Sequence, residues 1–260
     1  MTETAFMPQT DRLLAIMARL RDPERGCEWD VAQTFETIAP YTIEEAYEVA
    51  DAIERDNMDE LKSELGDLLL QVVFHSQMAD EAGHFAFEDV ARAISDKMEA
   101  RHPHIFADET GVMDGKRWED LKASERSRSG SKSAMDGVAQ ALPALLRSEK
   151  LQKRAARVGF EWPDTKGPRE KLAEELEELD AATEDERLVE AGDVLFVAVN
   201  IIRRYGVDAE QALKASNSKF ERRFRQMEAL AEADGVDFDA LSLGEQESYW
   251  QRVKKSEKSA

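Results

Sequence analysis

Apolar residues recur at helical spacing along most of the chain, and no segment sustains the two-residue alternation of a half-buried strand. Leu13, Leu14, Ile16, Met17 and Leu20 form one stripe of an amphipathic helix that stops near Asp22-Pro23. Gly26-Cys27-Glu28-Trp29-Asp30 reads as a loop, with Trp29 as a packing anchor. Thr42 followed by Glu45 has the spacing of a capping box and predicts a helix from Ile43 to Glu54. A turn at Asp56-Asn57 separates it from a longer helix that starts at Asp59, runs through Leu65, Leu68, Leu69, Val72 and Val73, and ends near Gly83. The next extends from about Phe87 to Arg101 and halts before Pro103, and a short one surrounds Trp118. The pattern then breaks at Ser124-Glu125-Arg126-Ser127-Arg128-Ser129-Gly130-Ser131-Lys132-Ser133, which has the composition of a flexible linker. Helical spacing resumes from Pro143 to about Gly159 and again from Pro168. A segment from Asp208 to about Asp234 follows, and Ser242 with Glu245 caps a last helix containing Trp250. The expectation is an all-α protein with a first domain at 1–123, a linker at 124–136 and a second domain at 137–260.

One stretch, from Lys171 to Arg204, places acids where helices should pack. Glu175 and Glu178 are three residues apart, as are Glu190 and Asp193, so each pair projects from one face of its own helix. Folded back as a hairpin about Thr183-Glu184-Asp185, each pair lies about eight residues, roughly 12 Å, from the turn. Four carboxylates then meet at one height. The run Val194-Leu195-Phe196-Val197-Ala198-Val199 that follows is apolar nearly all round and predicts a helix inside a bundle. Burying unpaired charge costs several kcal/mol per group, and like charges this close require compensation. A set of carboxylate oxygens suits a hard cation such as magnesium or manganese.

The same arrangement occurs earlier in the chain. Glu45 and Glu48 answer Glu175 and Glu178, and Glu64-Leu65-Gly66-Asp67 answers Glu190-Ala191-Gly192-Asp193. Lys97 and Arg101 share the spacing of Lys219 and Arg223, while Trp118 and Lys122 share that of Trp250 and Lys254. Acids for a metal, cations for an anionic group and a ring for a flat one together describe a nucleotide polyphosphate site. Cleavage of a phosphoanhydride needs mainly charge neutralisation and an aligned water, with no covalent nucleophile. The copies differ at Arg222, which the first replaces with Ala100, so the second half is expected to hold the main site.

Composition narrows the partners. The net charge of -20 argues against nonspecific binding to nucleic acid or an anionic membrane. The single cysteine, Cys27, excludes an internal disulfide. With no basic-then-apolar start and no apolar run of membrane-spanning length, the chain is expected to be a soluble cytoplasmic protein.

The doubled Glu-x-x-Glu and Glu-x-x-Asp pattern resembles the MazG-type nucleoside triphosphate pyrophosphohydrolases. Gly26-Cys27-Glu28-Trp29-Asp30, Gln33-Thr34, Gly66-Asp67-Leu68-Leu69-Leu70, Arg101-His102-Pro103-His104 and Lys219-Phe220-Glu221-Arg222-Arg223-Phe224 are also similar to that family's tandem-domain members. The resemblance implies two tandem domains with four-helix-bundle cores, assembly as a homodimer and dependence on Mg2+, with Mn2+ as a substitute. It implies hydrolysis of nucleoside triphosphates to monophosphate and pyrophosphate, tolerance of the base, and a house-cleaning role on noncanonical nucleotides. It makes Glu175, Glu178, Glu190 and Asp193 metal ligands, with a weaker candidate set at Glu45, Glu48, Glu64 and Asp67. Lys219 and Arg223 join the catalytic set. Lys219, Arg222, Arg223, Trp250 and Lys254 are candidates for substrate binding, with Lys97, Arg101, Trp118 and Lys122 as weaker ones.

Two rival readings remain. Glu81-x-x-His84 and Glu99-x-x-His102 have the spacing of di-iron carboxylate ligands, yet both fall at predicted helix ends and the second half has no histidine. An acidic helical interaction protein would explain the charge but not the recurrence of the cations.

Overall fold

The computed structural model describes residues 8–107, 117 and 132–258. Among them are eleven α-helices, one 3-10 turn and no strand, and the chain divides into two compact units, Met1–Leu121 and Lys122–Ala260. No helix among the described residues is long and apolar enough to cross a membrane.

The first unit contains α1 (Gln9–Leu20), α2 (Glu28–Ala32), α3 (Phe35–Glu54), α4 (Met58–Glu81), α5 (Phe87–Arg101) and α6 (Pro103–Phe106). Helices α3 and α4 form a hairpin, and α1 and α5 pack on α4. Met17, Ile38, Val73, Phe74 and Met78 make the core, flanked by Leu13, Leu14, Leu70 and Phe87. The hairpin turns at Asp56, whose φ is 53°, and Asn57 caps α4 by accepting from the Glu60 amide at 3.2 Å. Gly83, at φ 73°, terminates the end of α4 as its position foretells.

Two local expectations are corrected here. Helix α3 begins at Phe35, eight residues before Ile43, because Thr34 and Thr37 form a reciprocal capping box with bonds of 2.9 and 3.4 Å. Thr42 therefore lies mid-helix, where its hydroxyl bonds back to the Ile38 carbonyl at 3.4 Å and lies 3.0 Å from His75 Nε2. The expected loop at Gly26–Asp30 contains the start of α2. Trp29 is 53% exposed and meets Tyr41 edge-on at 6.5 Å, so it anchors little of the core.

The second unit contains α7 (Ala144–Arg157), α8 (Lys166–Ala181), α9 (Arg187–Arg204), α10 (Ala209–Ala233), a 3-10 turn (Phe238–Ala240) and α11 (Leu243–Glu257). Helices α8 and α9 form its hairpin, α7 packs on α9, and α10 packs on α7 and α11. The hairpin turn is tied by Thr183, whose amide and hydroxyl both donate to Glu186, at 3.1 and 2.7 Å. Met227, Ala231, Tyr249 and Val253 form a second core between α10 and α11. The apolar run of α9 is not enclosed on all sides. Val197 and Val199 are buried, but Leu188 is 85%, Leu195 58% and Phe196 44% exposed, because α7 and α8 cover only part of the helix.

Candidate active site

In each unit the hairpin brings together three of the four expected acids. Oxygen atoms of Glu175 on α8 and of Glu190 and Asp193 on α9 all lie within 4.8 Å of one another, as do those of Glu45, Glu48 and Glu64 across α3 and α4. The fourth acid of each set stands alongside. Glu178 is close enough to Glu175, and Asp67 to Glu45, for each pair to act on one another electrostatically.

Burial within these clusters is less than the apolar neighbourhood foretells. Only Glu175, 5% exposed, is enclosed, while Glu178 and Asp193 face solvent. The charge is also partly compensated from within. Lys171 Nζ lies 2.8 Å from oxygens of both Glu174 and Glu175 and 3.8 Å from Glu178. Those carboxylates hold the Lys171 ammonium well above its ordinary pKa, with Glu174 the largest influence. Lys171 draws the Glu178 carboxyl down, but dehydration together with Glu175 and Glu174 outweighs it, and the net shift is upward. The first unit has Tyr41 at the matching place, four residues before Glu45. There, dehydration first and then Asp67, Glu48 and Glu64 raise the Glu45 carboxyl, and dehydration followed by Glu48 and Asp67 raises Glu64.

The donor set fits a divalent cation. Each cluster offers oxygen alone, from two helices, at a spacing that several carboxylates can share around one hard ion. In the second unit the Lys171 ammonium already lies against that oxygen set. No histidine joins either cluster. Glu81, one acid of the di-iron alternative, is bound bidentately by Arg21, at 2.7 Å for the closest contact.

The cationic and aromatic candidates of the second unit gather on α10 and α11. Arg223 donates from Nε and Nη2 to one oxygen of Glu257, at 2.9 and 2.6 Å, and Arg222 Nη2 donates to the other at 2.9 Å. These bonds, from Arg223 first and then Arg222, hold the Glu257 carboxyl at about 2. The Arg223 guanidinium also lies over the Trp250 ring at 5.4 Å. Trp250 in turn touches Phe220 at 5.8 Å, so it is part of a ring cluster. Lys219 is exposed and Lys254 half-buried. Arg222, whose absence from the first half distinguishes the copies, thus has a partner inside its own unit. On α5, Lys97 and Arg101 both have partners of their own. Trp118 and Lys122 lie outside the described residues.

Sequence reasoning passed over Lys171 and Glu257. Lys171 had a legible signal, since it precedes Glu174 by three residues and Glu175 by four. Glu257 follows Trp250 by seven residues, as Glu125 follows Trp118, a recurrence beyond the Trp-Lys spacing.

Fold and site together define an all-α protein whose helical hairpins each carry a carboxylate cluster fit for a divalent cation. The comparisons make this specific: residues 33–106 match the MazG nucleotide pyrophosphohydrolase domain. The chain is 51% identical over 261 residues to the nucleoside triphosphate pyrophosphohydrolase of Escherichia coli K12, covering 96% of this chain and 99% of that one. It is 45% identical over 245 residues to the nucleoside triphosphate pyrophosphohydrolase/pyrophosphatase MazG of Thermotoga maritima, covering 94% and 95%. A third relative, the nucleoside triphosphate pyrophosphohydrolase of Mycolicibacterium smegmatis, is 36% identical over 154 residues, 58% of this chain and 48% of that one. The chain belongs to the MazG family of nucleoside triphosphate pyrophosphohydrolases.

Proposed function

We propose that the protein hydrolyses nucleoside triphosphates to the monophosphate and pyrophosphate, using Mg2+ or Mn2+ held by Glu175, Glu178, Glu190 and Asp193. The observation that carries this is the carboxylate cluster on the α8–α9 hairpin, in a chain that matches pyrophosphohydrolases over nearly its whole length. A divalent cation there would neutralise the triphosphate and activate the attacking water. The rest falls to the chain's own groups. Glu175, enclosed and fixed by the helix, orients the site, while Asp193 and Glu178 reach it from the solvent side. Lys171 would lose its carboxylate contacts to a cation held there and would then be available to the substrate's phosphates. Lys219 and Arg223 take phosphate oxygens, Arg by its fork and Lys as a point charge, and Arg222 and Lys254 lie beside them. Trp250 offers the edge of its ring cluster to the base.

Recognition through a ring and charge, which every nucleoside triphosphate offers, favours tolerance of the base, and with it a house-cleaning role on noncanonical nucleotides in the cytoplasm. The two units act as tandem copies of one bundle, the second carrying the main activity and the first a weaker or regulatory site at Glu45, Glu48, Glu64 and Asp67. The exposed apolar side of the hairpins is the surface through which a homodimer assembles. Incubation with a panel of nucleoside triphosphates and Mg2+, followed by identification of both products, tests the reaction. Monophosphate and pyrophosphate are expected; diphosphate and orthophosphate as the main products would exclude it.

A further inference from the structure

Arg223 is held from two sides before any ligand arrives. Its Nε and Nη2 converge on one oxygen of Glu257, at 2.9 and 2.6 Å, and its face lies over the Trp250 ring at 5.4 Å. Arg222 Nη2 binds the second oxygen of the same carboxylate at 2.9 Å, so the carboxylate is anchored at both ends. The Nη1 hydrogens of Arg223 make no bond among the described residues, although its side chain is still 19% exposed. A guanidinium is planar and its donors are fixed relative to one another, so fixing one edge fixes the direction of the other.

We infer that Glu257 is a positioning residue: with Trp250 it holds the Arg223 guanidinium so that its remaining edge is presented to a phosphate group of the substrate. The inference rests on the reading of Arg223 as a substrate-binding group. A staple between α10 and α11 would need only one of the two arginines. Here one carboxylate takes both, and leaves the more enclosed one with a single edge free. The sequence repeats the parts in the other half, where Lys97, Arg101, Trp118, Lys122 and Glu125 recur in the order of Lys219, Arg223, Trp250, Lys254 and Glu257. Orientation of a charged donor in advance matters most as the reacting phosphate gains charge, because a small misplacement then weakens the interaction that lowers the barrier.

The test uses the full chain with Mg2+ and a nucleoside triphosphate, comparing the parent with Arg223→Lys, Glu257→Gln, Glu257→Asp and the double variant Arg223→Lys/Glu257→Gln. Thermal melts confirm that each is folded at the assay temperature. Arg223→Lys is expected to lower kcat/KM, and Glu257→Gln to lower it roughly tenfold to a hundredfold, mostly through kcat. Glu257→Asp, which keeps the charge, recovers part of the loss. The double variant falls no further than Arg223→Lys alone, because a positioning residue has nothing left to position. If Glu257→Gln retains parental kcat/KM while Arg223→Lys does not, or if the two losses multiply, Glu257 is only a structural link and the inference is overturned. Parental activity in Arg223→Lys would instead refute the substrate role of Arg223, and the inference with it.

Discussion

Lys171 and Asp193 stand on opposite sides of the same balance. Lys171 supplies positive charge to the second cluster through contacts of 2.8 Å, whereas Asp193 adds a negative one at its solvent edge. In the metal-free protein, Asp193→Asn is expected to leave stability unchanged or slightly raised, since it removes one of several mutually repelling carboxylates at nearly constant volume. If the cluster binds magnesium as proposed, the ion is expected to reverse the order. A ligand bound only by the folded state stabilises it by roughly 2.7 kcal/mol at a hundredfold excess over Kd, and the variant loses most of that gain together with activity. Thermal melts in chelator and in magnesium decide between these outcomes. Lys171→Met should do the opposite in chelator, lowering Tm because Glu175 is left enclosed without its partner, and magnesium should narrow the gap. The Glu257 carboxyl is lowered to about 2 by Arg223 and Arg222, so its contribution to stability is present above the unfolded pKa and is lost as pH falls from about 4.5 through about 2. Chemical denaturation of the parent and Glu257→Gln along that range should show their difference shrinking. At this scale the sequence makes the acids legible, because three-residue spacing on a helix fixes a shared face. It does not reveal that Arg222 and Arg223 share one carboxylate, since Glu257 is 34 residues beyond Arg223 and only the α10–α11 fold brings them together.

The corresponding helices of the two units carry different interiors. Leu13, Leu14, Met17 and Leu20 of α1 have the spacing of Leu145, Leu146, Glu149 and Gln152 of α7, and Phe74 follows Asp67 by seven residues as Asn200 follows Asp193. Met17 and Phe74 belong to the apolar core of the first unit. Glu149, Gln152 and Asn200 are equally enclosed in the second, and each has an oxygen without a partner. Gln152 spends its amide on the Phe196 carbonyl at 2.8 Å, and among the described residues Glu149 is paired only with Lys153, which is half exposed. Glu149→Met is therefore expected to stabilise the protein, by about 1–4 kcal/mol if the methionine packs as Met17 does. Urea denaturation measures it. Most helix ends could be read from their punctuation, as at Gly83, Gly159, Asp208 and Ser242. The start of α3 could not, because the Thr42–Glu45 spacing imitates a cap. Pro40 lies inside α3, and Thr34 with Thr37 satisfies the true N-terminus. Thr34→Ala should cost about 1 kcal/mol in the same assay.

At the scale of the whole molecule, each hairpin leaves apolar side chains exposed. Leu188, Val189 and Leu195 of α9 are exposed, as are Ile43, Tyr47, Leu65 and Leu69 of the first hairpin. Isolated exposed hydrophobics are ordinary, but a set of them along one hairpin is what the proposed homodimer would cover. If the proposed homodimer assembles there, Leu195→Asp is expected to shift the protein towards monomer in sedimentation equilibrium, since it places a charge among these exposed side chains. If the second unit carries the chemistry, Glu175→Gln should abolish most turnover and Glu45→Gln far less, with initial rates as the measure. All-helical architecture and two copies of an acid pattern were open to inspection in the sequence, because both depend on local periodicity. The exposed side of α9 was not, because an apolar run looks the same whether its own chain or a second copy covers it.

The tethered ammonium of Lys171 bears on the order of events in the life of the chain. A cluster of like charges with no cation beside it costs its unit stability until an ion arrives. Here Lys171 already lies against the second unit's carboxylates, so on the proposed reading that unit would fold first and load afterwards, exchanging one cation for another. Chelation should then yield an intact, inactive protein that regains activity as soon as the ion is returned.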